Sequence, residues 1–149
     1  MCEIIFADAH KAADLAAAHA ACFEKGWNEA AMRQLLLMPN AFGFLAVAAD
    51  GCAGLIVCSA AADEAEIVTI GVVPSYRRRG VAKTLLEKAV LYAAMHGVRA
   101  LFLEVAVDNA AACALYRQTG FREVGMRKNY YHTTHGLADA VVMKLDLTV

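Results

Sequence analysis

The sequence predicts a single α/β domain over residues 1–149, with a mixed, mostly antiparallel and twisted sheet of about seven strands flanked by four helices. Three observations predict it. The 149-residue chain is 60% hydrophobic and 19% charged, as a compact core requires. Strand-like and helix-like segments follow the order βααβββαβαββ, without a linker or repeat. Finally, a helical segment separates two apolar strands in the second half, so these two strands are expected to be parallel.

The first half of the chain predicts a strand, two helices and a hairpin. Each helix follows a residue suited to N-capping, Asp8 for the first and Asn28 for the second. An Asp-Gly pair at residues 50–51 predicts the hairpin turn. The expected elements are a strand over Glu3–Ala7, helices over Ala9–Phe23 and from Asn28 to Leu37, and strands over Phe42–Ala49 and Cys52–Ala61.

The second half predicts four strands and two helices. Gly97 and Gly120 stand where helix C-caps are expected, and Asn109 is suited to cap the second of these helices. The expected strands are Glu64–Val73, Arg99–Val107, Phe121–Asn129 and Asp139–Asp146, the helices run over Gly80–His96 and from Asn109 to Thr119, and residues 130–138 are expected to form a polar loop.

Composition excludes several functional classes. No apolar run reaches the ~18–20 residues that a membrane helix needs, and the first residues lack the basic region of a signal peptide. Five cysteines without a Cys-x-x-Cys pair predict reduced thiols and a cytoplasmic location. The net charge of −1 argues against direct nucleic-acid binding. We therefore expect a cytoplasmic protein that contacts no membrane and is a monomer or weak dimer.

A loop rich in arginine joins a predicted strand to a predicted helix. Its sequence is Arg77-Arg78-Arg79-Gly80-Val81-Ala82. A helix N-terminus offers unpaired N–H groups and partial positive charge, and small residues let an anion approach the backbone. The spacing is neither that of a P-loop nor that of a dinucleotide-binding glycine motif. The loop predicts a binding site for a phosphate-bearing ligand.

Two segments carry a family resemblance. The spacing Arg77-x-x-Gly80-x-Ala82 resembles the Arg/Gln-x-x-Gly-x-Gly/Ala pyrophosphate loop of the GNAT acetyltransferases. The run from Leu103 to Phe121 resembles the second half of the GNAT core: a strand ends in Glu-Val, an Asn caps a helix, and Ala-Leu-Tyr precedes Gly-Phe. The resemblance therefore implies the GNAT fold for this α/β domain.

Further segments resemble one branch of that family, the ribosomal-protein-alanine N-acetyltransferases (the RimI group). They are the Arg-Lys-Asn-Tyr-Tyr run at residues 127–131 and the Asp-Ala-Val-Val-Met run at residues 139–143. Trp27-Asn28-Glu29 resembles the Trp-Ser-Glu entry to the second helix of that branch, with Gly26 where a proline is common. The resemblance covers residues 63–146 well and the first 60 residues loosely.

The resemblance implies acetyl transfer from acetyl-CoA, without a metal, to the N-terminal α-amine of a protein. The acceptor would be the N-terminal alanine of a small-subunit ribosomal protein. Glu104 would be the general base, directly or through water, and Tyr116 the general acid that protonates the CoA thiolate. The implied acetyl-CoA contacts are Ile70, Gly71, Val72, Arg77, Arg78, Arg79, Gly80, Val81, Ala82, Lys83 and Asn109. The implied acceptor contacts are Trp27, Glu66, Tyr130 and Tyr131.

Each assignment has a plainer alternative. Glu104 could point to solvent, Tyr116 could be a core ring, and Asn109 could be a helix cap alone. Glu66 could be an exposed strand end. Cys113 has no paired histidine nearby in the sequence, so an acetyl-cysteine intermediate is not favoured. Two histidines at residues 132 and 135 are a weak indication of a metal site.

Two other functions stay open at the level of sequence. The first is a GNAT enzyme that acetylates a small amine, an amino acid or a lysine side chain. The second is a CoA-binding regulatory module without turnover. The presence of both Glu104 and Tyr116 argues against the second.

Overall fold

The computed structural model describes residues 2–133 and 136–147 and, for residues 131–133, the backbone alone. The described residues form seven strands and four α-helices. They are β1 (Glu3–Ala7), α1 (Ala12–Cys22), α2 (Glu29–Leu37), β2 (Phe42–Ala48), β3 (Gly51–Ala61), β4 (Glu64–Val72), α3 (Val81–Met95), β5 (Ala100–Ala106), α4 (Ala110–Thr119), β6 (Arg122–Thr133) and β7 (Gly136–Asp146). Within the described residues, no helix is both long and apolar enough to cross a lipid bilayer.

All seven strands form one mixed sheet in the order β1-β2-β3-β4-β5-β7-β6. Neighbouring strands are antiparallel except for β4 and β5, which are parallel because α3 crosses between them. The predicted fold class is confirmed, including the order of elements and the single parallel pair.

Helices cover both faces of the sheet. On one face α3 and α4 pack against a core that includes Leu85, Leu101 and Tyr116. On the other face α1 and α2 pack against a smaller core that includes Leu15 and Met32. Because both faces are covered, the central strands are apolar on both sides rather than alternating.

The helix boundaries follow the predicted caps closely. The Oδ1 atoms of Asn28 and Asn109 accept the N–H groups of Ala31 and Ala112, at 2.8 and 3.2 Å. Gly97 and Gly120 have φ of 82° and 110°, the left-handed conformation that ends a helix at low cost in glycine. The first predicted helix differs slightly, because residues 9–11 form a 3-10 turn before α1 begins.

The prediction of a polar loop over residues 130–138 is wrong for the residues described. β6 extends to Thr133 and β7 begins at Gly136, so most of that stretch is paired strand. The described side chains of β6 are exposed, because β6 is an edge strand. Exposure explains the polar composition, and pairing with β7 explains why the segment is nevertheless a strand.

Candidate active site

The site lies where β4 and β5 separate. The two strands pair only from Glu64 to Glu66, opposite Ala100 to Phe102. Beyond that point β4 continues for six residues, 67–72, which are paired with β3 on one side and have no described pairing with β5 on the other. At ~3.3 Å per residue, the split exposes about 20 Å of strand edge. Ile70, Gly71 and Val72 lie on it, and a ligand with amide groups could pair there as a strand does.

Gly71 lies where the end of α1 closely approaches the unpaired part of β4. A Cβ at this position would lie 3.0 Å from both the Cβ of Cys22 and the Cε2 of Phe23, at the end of α1. A glycine inside a strand favours either a bulge or a close approach of another segment, and at Gly71 the close approach occurs. The irregularity in the β3–β4 ladder falls at Val68 instead. Gly71 thus lets the end of α1 lie directly against the open edge of β4.

The arginine-rich loop has the backbone of an anion site. Arg78 and Gly80 both have positive φ, 64° and 77°, so the chain folds into a concave turn just before α3. Val81 begins α3, and Ala82 and Lys83 complete its first turn, whose N–H groups have no earlier helical carbonyl to pair with. The Cβ direction of Gly80 is open for 4 Å.

Two of the arginine side chains are held by the protein itself. The Nε of Arg77 donates to the carbonyl oxygen of Val72 at 3.1 Å, which ties the loop to the end of β4. Arg79 lies over the ring of Tyr76 at 5.4 Å, and the hydroxyl of Tyr76 donates to Asp50. Burial raises the pKa of the Cys22 thiol, and Arg77 opposes that rise. The positive charge of the loop therefore extends to the end of α1.

Glu104 lies on β5 beyond the last residue paired with β4. Its side chain is 22% exposed, so it does not simply point to solvent. The Nε of Arg127, on β6, is 3.1 Å from its Oε1. Leu103 and Val105 are buried under α3 and α4, so by strand alternation Glu104 projects from the other face of the sheet. The carboxylate therefore lies on the face that carries α1 and α2.

Tyr116 lies on α4, on the opposite face of β5. It is 6% exposed and packs edge-on against Phe121, with ring centroids 5.8 Å apart. Cys113, one turn earlier, is buried with its Sγ 3.9 Å from the carbonyl oxygen of Ala106. Asn109, Cys113 and Tyr116 share one face of α4 by helical spacing, and the contact of Cys113 with Ala106 turns that face toward the end of β5. The cap of α4 by Asn109 is observed, while an acetyl-CoA contact for it stays a prediction.

The structure describes the side chains of three of the four predicted acceptor residues. Glu66 is opposite Phe102 in the parallel ladder, and Glu104 lies two residues further along β5, so both carboxylates project from one face. Tyr130 is 49% exposed, with the Arg127 guanidinium 5.0 Å from its ring centroid. Trp27 stacks on His19 in the loop between α1 and α2. The Tyr131 and His132 side chains and all of residue 135 lie outside the described residues.

Three further residues shape this face, and the sequence did not single them out. Arg127 appeared only within a family-like run. Asp139 accepts the N–H of Asn129 at its Oδ1, at 2.8 Å, and its carbonyl accepts the N–H of Val107 at 2.9 Å. It thus ties a bulge of β6 to the end of β5. The third residue is His19. It lies in an alanine-rich helix, and a single histidine on an apolar helix face could have indicated it from the sequence.

Among the residues that the structure describes, no group of three or more His, Cys, Asp or Glu side chains could hold a metal ion. Comparison with known proteins decides the family. The model of the acetyltransferase (GNAT) family matches residues 12–121. The chain belongs to the GNAT family. The arginine-rich loop and the split between β4 and β5 both lie within the matched residues.

Two curated GNAT relatives carry the name [ribosomal protein bS18]-alanine N-acetyltransferase. The protein of Escherichia coli K12 is 45% identical over 87 residues, 58% of this chain and 59% of its own length. That of Salmonella typhimurium LT2 is 40% identical over 100 residues, 67% of this chain and 68% of its own. The match to the first relative thus spans less than two thirds of that protein.

A solved structure extends the likeness to the whole chain. The crystal structure of the ribosomal-protein-S18-alanine N-acetyltransferase from Escherichia coli superposes with a TM-score of 0.91 and 30% sequence identity. The superposition covers 100% of this chain and 96% of that one. The whole chain therefore shares its fold with that enzyme.

Proposed function

We propose that this protein is a protein N-terminal acetyltransferase that uses acetyl-CoA. Its acceptor is the N-terminal α-amine of a protein, and the first candidate is the N-terminal alanine of ribosomal protein bS18, after which its relatives are named. Residues 1–149 then act as one GNAT domain. The five free thiols fit a cytoplasmic location.

One observation carries the proposal: the split between β4 and β5 has Glu104 on one face and Tyr116 on the other. Acetyl transfer needs a base for the amine and an acid for the departing thiolate. If the thioester lies in the split, the two groups approach the reacting carbon from opposite sides. That arrangement suits an addition followed by an elimination.

Acetyl-CoA would be held along the open edge of β4 and the loop that follows it. The backbone N–H groups at the start of α3 and the concave turn around Gly80 suit the pyrophosphate. Arg78, Arg79 and Lys83 are exposed beside them and attract the anion at longer range. Ile70 to Val72 would pair with the amides of the pantetheine arm, and one N–H there would stabilise the oxyanion.

The reaction then proceeds in two steps. An α-amine has a pKa of about 7.7–8.0, so most of it is protonated at neutral pH. Glu104 removes one proton, directly or through water, and the neutral amine adds to the thioester carbonyl. The tetrahedral intermediate collapses, its C–S bond breaks, and Tyr116 donates its proton to the CoA thiolate. The nitrogen gives its second proton to solvent water before the C–S bond breaks. Exchange with solvent then removes the proton from Glu104 and returns one to Tyr116, and the products are free CoA and an acetylated N-terminus.

The direct test uses synthetic peptides and mass spectrometry. A peptide that begins with alanine and contains an internal lysine is incubated with acetyl-CoA and the protein. The expected product carries one acetyl group on the α-amine. The control is the same peptide with a blocked N-terminus, which is expected to stay unmodified. Acetylation of the lysine, or of spermidine or free amino acids in preference to the peptide, would replace this proposal with the small-amine or lysine alternative.

A substitution at Gly80 tests whether the arginine-rich loop binds acetyl-CoA. Gly80→Ala forces a residue with a Cβ into positive φ, at a cost of about 1–2 kcal/mol, and the concave turn reshapes to relieve it. We expect the Kd for acetyl-CoA, measured by calorimetry, to rise about tenfold, or ~1.4 kcal/mol.

Gly97→Ala is the matched control for Gly80→Ala. Gly97 has φ of 82° at the other end of α3, and its Cβ direction is equally open. Both variants should lower the free energy of unfolding by a similar amount, while only Gly80→Ala weakens acetyl-CoA binding. Equal acetyl-CoA affinity in the two variants would show that the arginine-rich loop does not bind acetyl-CoA.

A further inference from the structure

Apart from tyrosine and cysteine side chains, His19 is the one polar or charged side chain that is buried among the residues that the structure describes. It is 4% exposed and lies in the last turns of α1. Its ring stacks against two aromatic neighbours, with centroids 4.5 Å from Phe23 and 5.2 Å from Trp27. Burial lowers the pKa of His19, so the imidazole is neutral at neutral pH.

The neutral ring makes a specific hydrogen bond. The backbone N–H of Trp27 donates to the Nδ1 of His19 at 3.0 Å. Nδ1 can accept only when it carries no proton, so the ring is the tautomer protonated at Nε2. Trp27 immediately precedes Asn28, the N-cap of α2. His19 therefore fixes the point where the loop between α1 and α2 enters the second helix.

The same loop closes tightly on α1. A Cβ at Gly26 would lie 2.8 Å from the Cα of Ala20, so only glycine allows the chain to fold back at this distance. The loop is thus held by a close backbone approach, a hydrogen bond and two ring contacts, all within one turn of His19.

The loop is also joined to the donor strand. The Cε2 of Phe23 would lie 3.0 Å from a Cβ at Gly71, so the ring rests against the open edge of β4. Phe23 is 39% exposed. An acceptor peptide that reaches the split from the face carrying α1 and α2 would pass the rings of Phe23 and Trp27, which contact His19.

We propose that His19 is a positioning residue for the acceptor peptide. By accepting the Trp27 N–H and stacking between Phe23 and Trp27, it holds those rings as a fixed wall beside Gly71. The first residues of the acceptor peptide pack against these two rings. This inference rests on the proposed function, because it assigns a wall of that acceptor site.

Two substitutions distinguish the role of the hydrogen bond between Trp27 and His19 from the role of side-chain packing at residue 19. His19→Leu keeps a similar volume and removes the acceptor, whereas His19→Asn keeps a carbonyl acceptor near Nδ1. For His19→Leu we expect the KM for the alanine peptide to rise about tenfold, with the KM for acetyl-CoA unchanged, because a displaced wall misplaces the acceptor. For His19→Asn we expect that KM to stay within about threefold of the wild type, because the acceptor remains.

The loop itself can be followed without any turnover, because Trp27 is the only tryptophan in the chain. Acrylamide quenching of its fluorescence reports how far the loop has opened. Quenching should rise in His19→Leu and stay near the wild type in His19→Asn. Gly26→Ala perturbs the same loop without touching the imidazole and should give the same rise in quenching and in peptide KM. Gly125→Ala is the matched control, since its Cβ would meet Val142 at an ordinary 3.8 Å.

The outcomes distinguish this inference from the function on which it rests. Failure of the wild type to acetylate the alanine peptide overturns the proposed function, and the acceptor role of His19 with it. Normal wild-type turnover with an unchanged peptide KM in both His19→Leu and Gly26→Ala overturns the positioning role alone. An equal rise in the KM for peptide and for acetyl-CoA overturns it as well, because it indicates a general loss of structure. Should His19→Leu fail to fold, Gly26→Ala decides the question.

Discussion

Glu104→Gln is expected to lower kcat at neutral pH about 100-fold or more, the usual contribution of a general base. Glutamine has nearly the shape of glutamate but cannot take a proton from the α-ammonium group. Acetyl-CoA affinity should stay within about twofold of the wild type, since the side chain projects from the sheet face opposite α3 and α4. Steady-state kinetics with the alanine peptide, together with calorimetry for acetyl-CoA, measure both quantities.

The pH dependence makes this prediction specific to proton removal. Above the pKa of the α-amine, about 8, the acceptor is already neutral and needs no base. The deficit of Glu104→Gln should therefore shrink between pH 7 and pH 9. A constant deficit across this range would indicate that the substitution disturbs the acceptor site rather than removing the base, and a wild-type kcat at every pH would exclude the role.

Glu123→Gln is the matched control for this substitution. Glu123 lies on β6, and its side chain is 48% exposed, 3.9 Å from the guanidinium of Arg117. An exposed ion pair of this kind contributes little to stability. The same loss of one negative charge should therefore leave kcat and its pH dependence unchanged.

The ion pair between Glu104 and Arg127 shows what the sequence could not predict. The two residues are far apart in the chain and meet only because β7 lies between β5 and β6 in the sheet. The sequence could indicate a lone glutamate in an apolar strand, but not its partner. In the structure the guanidinium of Arg127 fixes the position of the Glu104 carboxylate.

Local signals in the sequence were reliable where the chain itself determines the structure. The caps at Asn28 and Asn109 and the left-handed glycines 97 and 120 were predicted correctly, because each depends on a few adjacent residues. The long strand at residues 122–133 was cut short in the prediction, because its pairing with β7 is a tertiary contact. Polar composition alone does not distinguish an exposed edge strand from a loop.

The resemblance to the GNAT family implied a splayed fourth strand ending at residues 70–72, but the composition of the strands could not locate the split between β4 and β5. The two apolar strands could be predicted to be parallel neighbours, but nothing in their composition indicated that pairing ends at Glu66. At the unpaired end of β4 the end of α1 packs on Gly71, and Arg77 is hydrogen-bonded to the carbonyl of Val72, contacts that appear only in the folded chain. The residues of the candidate site could be predicted by resemblance, whereas the geometry that joins them required the fold.

Tyr116→Phe is expected to lower kcat by about 100-fold, or ~2.7 kcal/mol of transition-state stabilisation, while leaving the ring in place. The ring is buried and packs against Phe121, and phenylalanine preserves that contact. Loss of the hydroxyl should cost at most about 1 kcal/mol of stability. Tyr92→Phe is the matched control, because Tyr92 packs against Phe42 and Phe44 away from the split.

The two catalytic substitutions should differ in their response to pH. Raising the pH supplies a neutral amine, which rescues Glu104→Gln, but it cannot supply a proton to the departing thiolate. The deficit of Tyr116→Phe should therefore persist from pH 7 to pH 9. A Tyr116→Phe deficit that disappears on raising the pH, in parallel with that of Glu104→Gln, would contradict the acid role. In that case Tyr116 would instead help to deliver the amine, and water would protonate the thiolate.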